Sequence, residues 1–239
     1  SGGVKFLMDK NKITVLEDPE RGNDVVQNDI ADMNIIKNKD TLRSLGFEKF
    51  DSAIFIYTKE YRQRSENLKQ IPSTKQMSRR DGVWYYNNTV YNGKFIDYYY
   101  SGRIQGEGTL ENGKVNGIRK MYFQNGLLST ERYYINSIPD GLEKEYYEDG
   151  TLKQKGEYVN GKEEGIWELY FPNGQIKLQT NYKNGEVDQF ATKYYSNGKI
   201  KEKVTFKNGK LIEDPNLIAI NQLMKKSSDS NKKGDTKSA

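Results

Sequence analysis

Two carboxylate pairs are the first candidates for chemistry in this 239-residue chain: Glu143 with Glu145, and Glu163 with Glu164. Paired carboxylates divide acid and base roles when their environments push their pKa values apart. Here the first pair alternates along a strand and the second falls in a turn. Neither has a sequence-visible source of such a shift, so both read as solvated. The stretch QGEGTLENG, at 105–113, offers Gly106 and Gly108 to a phosphate. Its third glycine is at 113 rather than 111, and it sits in a strand rather than at a strand-to-helix turn, so it reads as structural. The chain has no histidine and no cysteine. That excludes Cys/His zinc sites, disulfides, thiol catalysis and histidine triads. No D-x-D-x-D-G calcium loop is present. The abundant tyrosines could stack on bases or sugars, but most recur at fixed intervals, which points to packing. Four aromatics stand out as candidate surface contacts: Tyr100, Tyr133, Phe171 and Tyr195. No catalytic residue, metal ligand or cofactor is expected, and the chain reads as a non-enzyme.

Bulk properties bound the partners. The net charge is +5, but 38 basic and 33 acidic residues are intermixed without a basic block. This pattern gives solubility rather than a nucleic-acid footprint. Mean hydropathy is −0.93, yet aromatics reach 12%, and large rings can build a thin core. No apolar run of about 18 residues exists to span a membrane, while contact with a membrane surface stays open. The opening SGGVKF, without Met, reads as a trimmed or mature start. A monomer or weak homo-oligomer is expected.

The elements that position these residues show in a repeat. Glycines fall at Gly102, Gly126, Gly150, Gly174 and Gly198, always 24 apart. A second series runs Gly113, Ser137, Gly161, Gly185, Gly209; a third runs Gly117, Gly141, Gly165 and lapses at Gln189. In FPNGQ, Pro172 suits the first corner of a type I turn, Asn173 the second, and Gly174 the positive φ of a G1 bulge. Phe171 should then face Gln175, and Tyr170 should face Ile176. A second turn, KNG at 183–185, leads to the next hairpin. Alternation puts Ile166, Tyr170, Ile176 and Tyr182 on one apolar face. Their equivalents are Leu142, Tyr146, Leu152 and Tyr158 before, and Phe190, Tyr194, Ile200 and Phe206 after. The opposite face, with Trp167, Leu169 and Phe171 in one copy but Glu143, Glu145 and Tyr147 in another, reads as mixed and wetter. The expected fold is mainly β: an elongated antiparallel meander of stacked 24-residue β-hairpins, not a closed barrel, with a small α+β N-terminal domain.

The pattern Y-Y-x-x-G-x-L-K followed by Y-x-N-G-K-x-x-G-x-W, clearest from Tyr146 to Gly174, resembles the MORN repeat variant of bacterial proteins, many labelled YwqK-like antitoxins. The resemblance covers about 83–213. It implies stacked hairpins and an interaction or scaffold role. The stretch 84–102 departs from the pattern, with a Gly93-to-Gly102 gap of 9 where later copies have 13, and reads as a capping repeat.

Residues 1–62 lack the period. Asp40-Thr41 can cap a short helix around Leu42 to Leu45, ended by Gly46, within a β-β-α-β order. IADMNIIKNKD, LRSLG and SAIFIYTK resemble a fragment of the TonB-dependent receptor plug domain. Leu45 replaces the usual Tyr, Ser52-Ala53 replace Gly-Val, and no barrel region follows, so receptor or transport function is not carried over. The pairing of both modules implies an exported protein of Bacteroidetes-like bacteria, in the periplasm or at the outer surface, with the cytoplasm left open as the alternative. Residues 63–82 read as a linker, 214–226 as a capping helix and 227–239 as a disordered tail.

Three functions are consistent with this reading: a protein-protein interaction or scaffold module of the cell envelope, an antitoxin or immunity protein neutralising a toxin, or a ligand- or lipid-surface-binding protein.

Overall fold

The computed structural model describes residues 5–8, 13–14, 27–99, 101–212, 218–219 and 221–223. The chain divides into two compact units, 1–114 and 115–239. The division falls inside the array rather than in the 63–82 stretch.

In the first unit, β1 (Lys5–Met8), β2 (Ile13–Thr14), β3 (Ile30–Ile36), α1 (Lys39–Ser44) and β4 (Ala53–Thr58) follow one another. Their sheet has the order β2-β1-β4-β3, with β1 parallel to β4 and the other pairs antiparallel. The cap of α1 is Asn38 rather than Asp40: its side-chain oxygen accepts from the Thr41 amide at 2.9 Å. Gly46, at φ +76, ends the turn that follows. Leu42, Phe47 and Ala53 form the buried cluster, with Ile36, Phe50 and Phe55 against it.

The stretch read as a linker is built structure. It follows α2 (Lys59–Gln63) and holds α3 (Glu66–Lys69), a 3-10 turn at Thr74–Gln76 and β5 (Ser78–Arg80). β5 pairs with β6 (Val83–Tyr86), and β6 with β7 (Thr89–Val90). The turn is anchored to β8 (Gly93–Tyr98), which pairs with β9 (Ile104–Glu111). The buried Asp97 carboxylate on β8 accepts from Ser73 Oγ at 2.7 Å and from the Thr74 amide at 2.8 Å. The short β10 (Lys114–Val115) spans the division between units.

The second unit is one antiparallel meander: β11 (Gly117–Tyr122), β12 (Leu128–Ile135), β13 (Ile138–Tyr146), β14 (Leu152–Val159), β15 (Lys162–Tyr170), β16 (Ile176–Lys183), β17 (Glu186–Tyr194), β18 (Ile200–Lys207) and β19 (Lys210–Ile212). Each strand pairs with the next in chain order. Among the described residues the first and last do not meet, so this meander is open, as expected. Of the expected C-terminal helix, 218–219 and 221–223 are helical; its remainder and the 227–239 tail lie outside the described residues.

Two kinds of turn alternate. At the first, the Gly174 amide donates to Phe171 O at 2.9 Å and the Phe171 amide to Gln175 O at 2.8 Å. Gly174 has φ +81 and Tyr170 pairs with Ile176, the G1-bulge loop read from FPNGQ. Gly174→Val should therefore lower the melting temperature more than Gln175→Val, by an amount equivalent to about 1–2 kcal/mol; equal thermal midpoints would contradict the turn assignment. At the second kind, Asn184 and Gly185 have φ +53 and +82, the type I′ pair that closes a two-residue hairpin. These turns stack: the amides of Gly161, Gly185 and Gly209 donate to the carbonyls of Pro139, Glu163 and Val187, 22 residues back in each case. Ser137, standing in the glycine series, keeps this bond to Val115 O at 2.7 Å, and its hydroxyl accepts from the Val115 amide at 2.8 Å.

The faces differ from the sequence reading. The bulge beside Tyr170 shifts the register by one residue, so Trp167 opposes Thr180 and Ile166 opposes Asn181. Odd positions on β15 thus share a face with even positions on β16. Tyr182 lies with Trp167, not with Ile166. The face expected to be wet is the buried one: Trp167 is 7% exposed and Glu143 1%. The aliphatics expected inside are outside: Leu142 is 62% exposed and Ile166 51%. We call the first the aromatic face and the second the aliphatic face.

Candidate functional site

The aromatic face centres on Trp167. Gly156 on β14 has no side chain, and the indole lies over it: a Cβ there would fall inside the ring's van der Waals envelope, against Cδ2, Cε2 and Cε3. The indole Nε1 donates to Glu157 O at 3.2 Å. Two tyrosines, 24 residues apart and on the strands flanking β15, complete the arrangement. Tyr158 stands at 78° to the indole with centroids 5.0 Å apart, and Tyr182 at 76° with centroids 6.3 Å apart. These edge-to-face geometries are the favoured ones for ring quadrupoles. The three rings, with Gln154, Glu163, Glu168, Thr180, Leu169 and Leu178, line a cavity of about 230 Å³. Beside it, Glu143 pairs with Arg132, and the Arg132 guanidinium lies 5.3 Å from the Tyr158 centroid. Glu143, read as solvated, is thus a buried carboxylate with a dedicated cation.

Burial raises the Tyr182 phenol, and the Glu163 carboxylate adds to the effect. Tyr158 is raised chiefly by burial as well, with Arg132 opposing and Glu163 reinforcing. Ionising either ring therefore costs more in the fold than in the open chain.

The aliphatic face carries the row Ile118, Leu142, Ile166 and Phe190, one residue per repeat. Ile118 is 51% exposed and lies opposite Tyr133, itself exposed. Alongside runs a ladder of charges, with Lys120 opposite Glu131, Glu131 opposite Lys144, and Lys155 opposite Glu168. In its most connected part, Glu168 accepts from Tyr170 Oη at 2.6 Å and Gln179 Nε2 at 3.0 Å, and pairs with Lys155 Nζ at 3.0 Å. Burial works to raise the Glu168 carboxyl, but hydrogen bonds from Tyr170, Lys155 and Gln179 outweigh it and hold it below its ordinary value. Lys155 is raised, first by its bond to Glu168 and next by Tyr170. The cluster locks both groups in their charged forms, away from the neutral-pH poise of an acid or base.

These shifts give stability a definite pH profile. Tyr158, Tyr170 and Tyr182 are all raised from 10.0, burial being the largest cause for each. Their contribution is complete below that value and is lost as pH rises through the higher folded-state values. The Lys155 contribution is likewise present below its ordinary 10.5 and is lost above it. The Glu168 contribution is present above its ordinary 4.5 and disappears as pH falls through its lower folded value. The melting temperature, followed by circular dichroism, should be flat across neutral pH and fall beyond both limits. A maximum above pH 10 would contradict these environments.

The four aromatics read as surface contacts do not form one site. Tyr133 is exposed on the aliphatic face. Phe171 and Tyr195 occupy equivalent places at successive G1 turns, half-buried, with Lys177 and Lys201 each 5.7 Å from the ring centroid. Tyr100 lies outside the described residues. The residues that converge are Tyr158, Trp167, Tyr182 and Glu163. Gly156 was their available signal, since a glycine inside a strand marks close approach by another group. Among the described residues no cluster of three or more Asp or Glu could hold a metal, and no helix is long and apolar enough to cross a membrane.

The family model for the MORN repeat variant matches residues 139–160, 163–184 and 191–208, from β13 to the turn after β18. Such repeats are generally protein- or membrane-binding modules. No curated protein matches the chain. Among solved structures, a mutant TarM of S. aureus in complex with Fondaparinux, alpha-GlcNAc-glycerol and UDP is 13% identical at TM-score 0.29, over 46% of this chain and 22% of that one. A second TarM structure is 12% identical at TM-score 0.29, over 78% of this chain and 32% of that one.

Proposed function

We propose that the chain is a non-enzymatic interaction module that engages a protein partner through the aliphatic face of β11 to β17. The observation that carries this reading is the row Ile118, Leu142 and Ile166, each at least half exposed at the same repeat position. Solvent-facing strand positions are ordinarily polar where one face is buried, and an aligned exposed apolar row is the mark of an interaction surface. The MORN-variant match supports binding as the general role. Alternating lysine and glutamate beside the row suit a protein surface better than a polyanion, so nucleic acid is not the partner. Within this reading the module is a scaffold of the cell envelope in an exported protein. The alternatives are an antitoxin or immunity protein, in which the same row would cover a toxin, and a ligand- or lipid-surface-binding protein.

A triple variant, Ile118→Ser/Leu142→Ser/Ile166→Ser, tests it. Exposed positions should tolerate the change within about 0.5 kcal/mol each. Pull-down from envelope extract should lose a specific partner that the parent retains, while flotation with anionic vesicles should be unchanged and weak. Partner retention by a folded triple variant, or loss of vesicle binding instead, would contradict the proposal.

A further inference from the structure

We propose that the cavity framed by Tyr158, Trp167 and Tyr182 is a binding site for a small methylated-ammonium group, with Glu163 as its counter-charge. Each tyrosine stands nearly at right angles to the indole, so the rings bound a space from different directions rather than stacking flat on it. A cation near aromatic rings is attracted to their quadrupoles, and quaternary ammonium groups are the ligands that such cages hold. The cavity, about 230 Å³, lies below the roughly 300–1,000 Å³ of drug-sized sites. It therefore suits a compact head group rather than an oligosaccharide.

The charge is also right. Glu163 lines the cavity with the rings and makes no ion pair among the described residues. It acts electrostatically on both phenols. The neighbouring cation, Arg132, is already paired with buried Glu143, so its repulsion is largely neutralised. The remaining polar side chains of the lining are Gln154, Thr180 and Glu168, and the Glu168 carboxylate is already taken up by Tyr170, Gln179 and Lys155. A bare ammonium would exchange its hydration for few acceptors, whereas a methylated one carries little hydration to lose. Trp167 and Ile166 are adjacent on one strand and point to opposite faces, and none of Ile118, Leu142 and Ile166 lines the cavity, so this proposal and the function proposed for the row can fail separately.

The experiment uses the chain's two tryptophans, Trp84 and Trp167. In a Trp84→Phe background, emission reports Trp167 alone. Choline is titrated against its neutral isostere 3,3-dimethyl-1-butanol. Saturable quenching by choline, at least about tenfold tighter than any response to the isostere, is expected, because cation–π attraction needs the charge. Glu163→Gln should weaken choline about three- to tenfold and reduce its salt dependence. Tyr182→Leu should abolish binding, while Tyr182→Phe, which keeps the ring, should retain it; circular dichroism confirms that each variant is folded. Equal affinity for the isostere, no saturation by about 100 mM choline, or saturation by a neutral disaccharide instead would each overturn the proposal.

Discussion

Replacing Gly156 with alanine should destabilise the second unit by about 1–3 kcal/mol, and valine should cost more. The backbone at Gly156 is not in the left-handed region, so the cost is steric: the new Cβ would enter the Trp167 indole. The ring cannot simply swing aside, because Tyr158 and Tyr182 flank it and its Nε1 is held by Glu157 O. Trp167→Leu alone should also destabilise, through lost ring area. Combining it with Gly156→Ala should cost less than the sum, since the smaller side chain vacates the space the methyl needs. Urea titrations of the four proteins check this. Strict additivity would mean that the indole does not rest on Gly156.

Arg132→Met should be comparably damaging, at about 3–5 kcal/mol, because it strands Glu143 as an uncompensated buried charge. Glu143 is 1% exposed and pairs with Arg132 across β12 and β13. The companion double variant, Arg132→Met/Glu143→Leu, should recover most of the loss, since an apolar pair avoids desolvating two ions. Chemical denaturation distinguishes the cases. A double variant as unstable as Arg132→Met would show that Glu143 matters by its shape rather than its charge. The arrangement also explains why a carboxylate occupies the position equivalent to Trp167 one repeat earlier: each fills the centre of the aromatic face, one with its own ring area and the other with a partner.

The repeat and both of its turns were legible because turn chemistry is local. Asn-Gly pairs such as Asn184-Gly185 demand positive φ, and Pro172-Asn173-Gly174 demands its bulge, whatever surrounds them. The faces were not legible by simple alternation, because the same bulge shifts pairing by one residue and exchanges parity between β15 and β16. Tyr182 was therefore grouped with Ile166 when it belongs with Trp167. The burial of Glu143 could not be read from its own strand, since its partner Arg132 comes from the one before. The helix cap moved from Asp40 to Asn38 for a plainer reason: both residue types cap, and only the fold decides where the first turn begins. Of the candidate site, the tyrosine series at Tyr158 and Tyr182 was visible as a stripe. Its closure into a cavity needed Trp167 and Gly156, which only the corrected register brings together.

Site-specific photo-crosslinking tests the proposed role of the aliphatic face most directly. Benzoylphenylalanine is placed at Leu142, at Ile166, or at Lys193, which is exposed and pairs with Leu178 on the opposite face. In envelope extract, Leu142 and Ile166 should give the same discrete protein adduct, and Lys193 should not. Equal labelling from Lys193, or lipid adducts alone from Leu142 and Ile166, would contradict a protein-binding role for the exposed row.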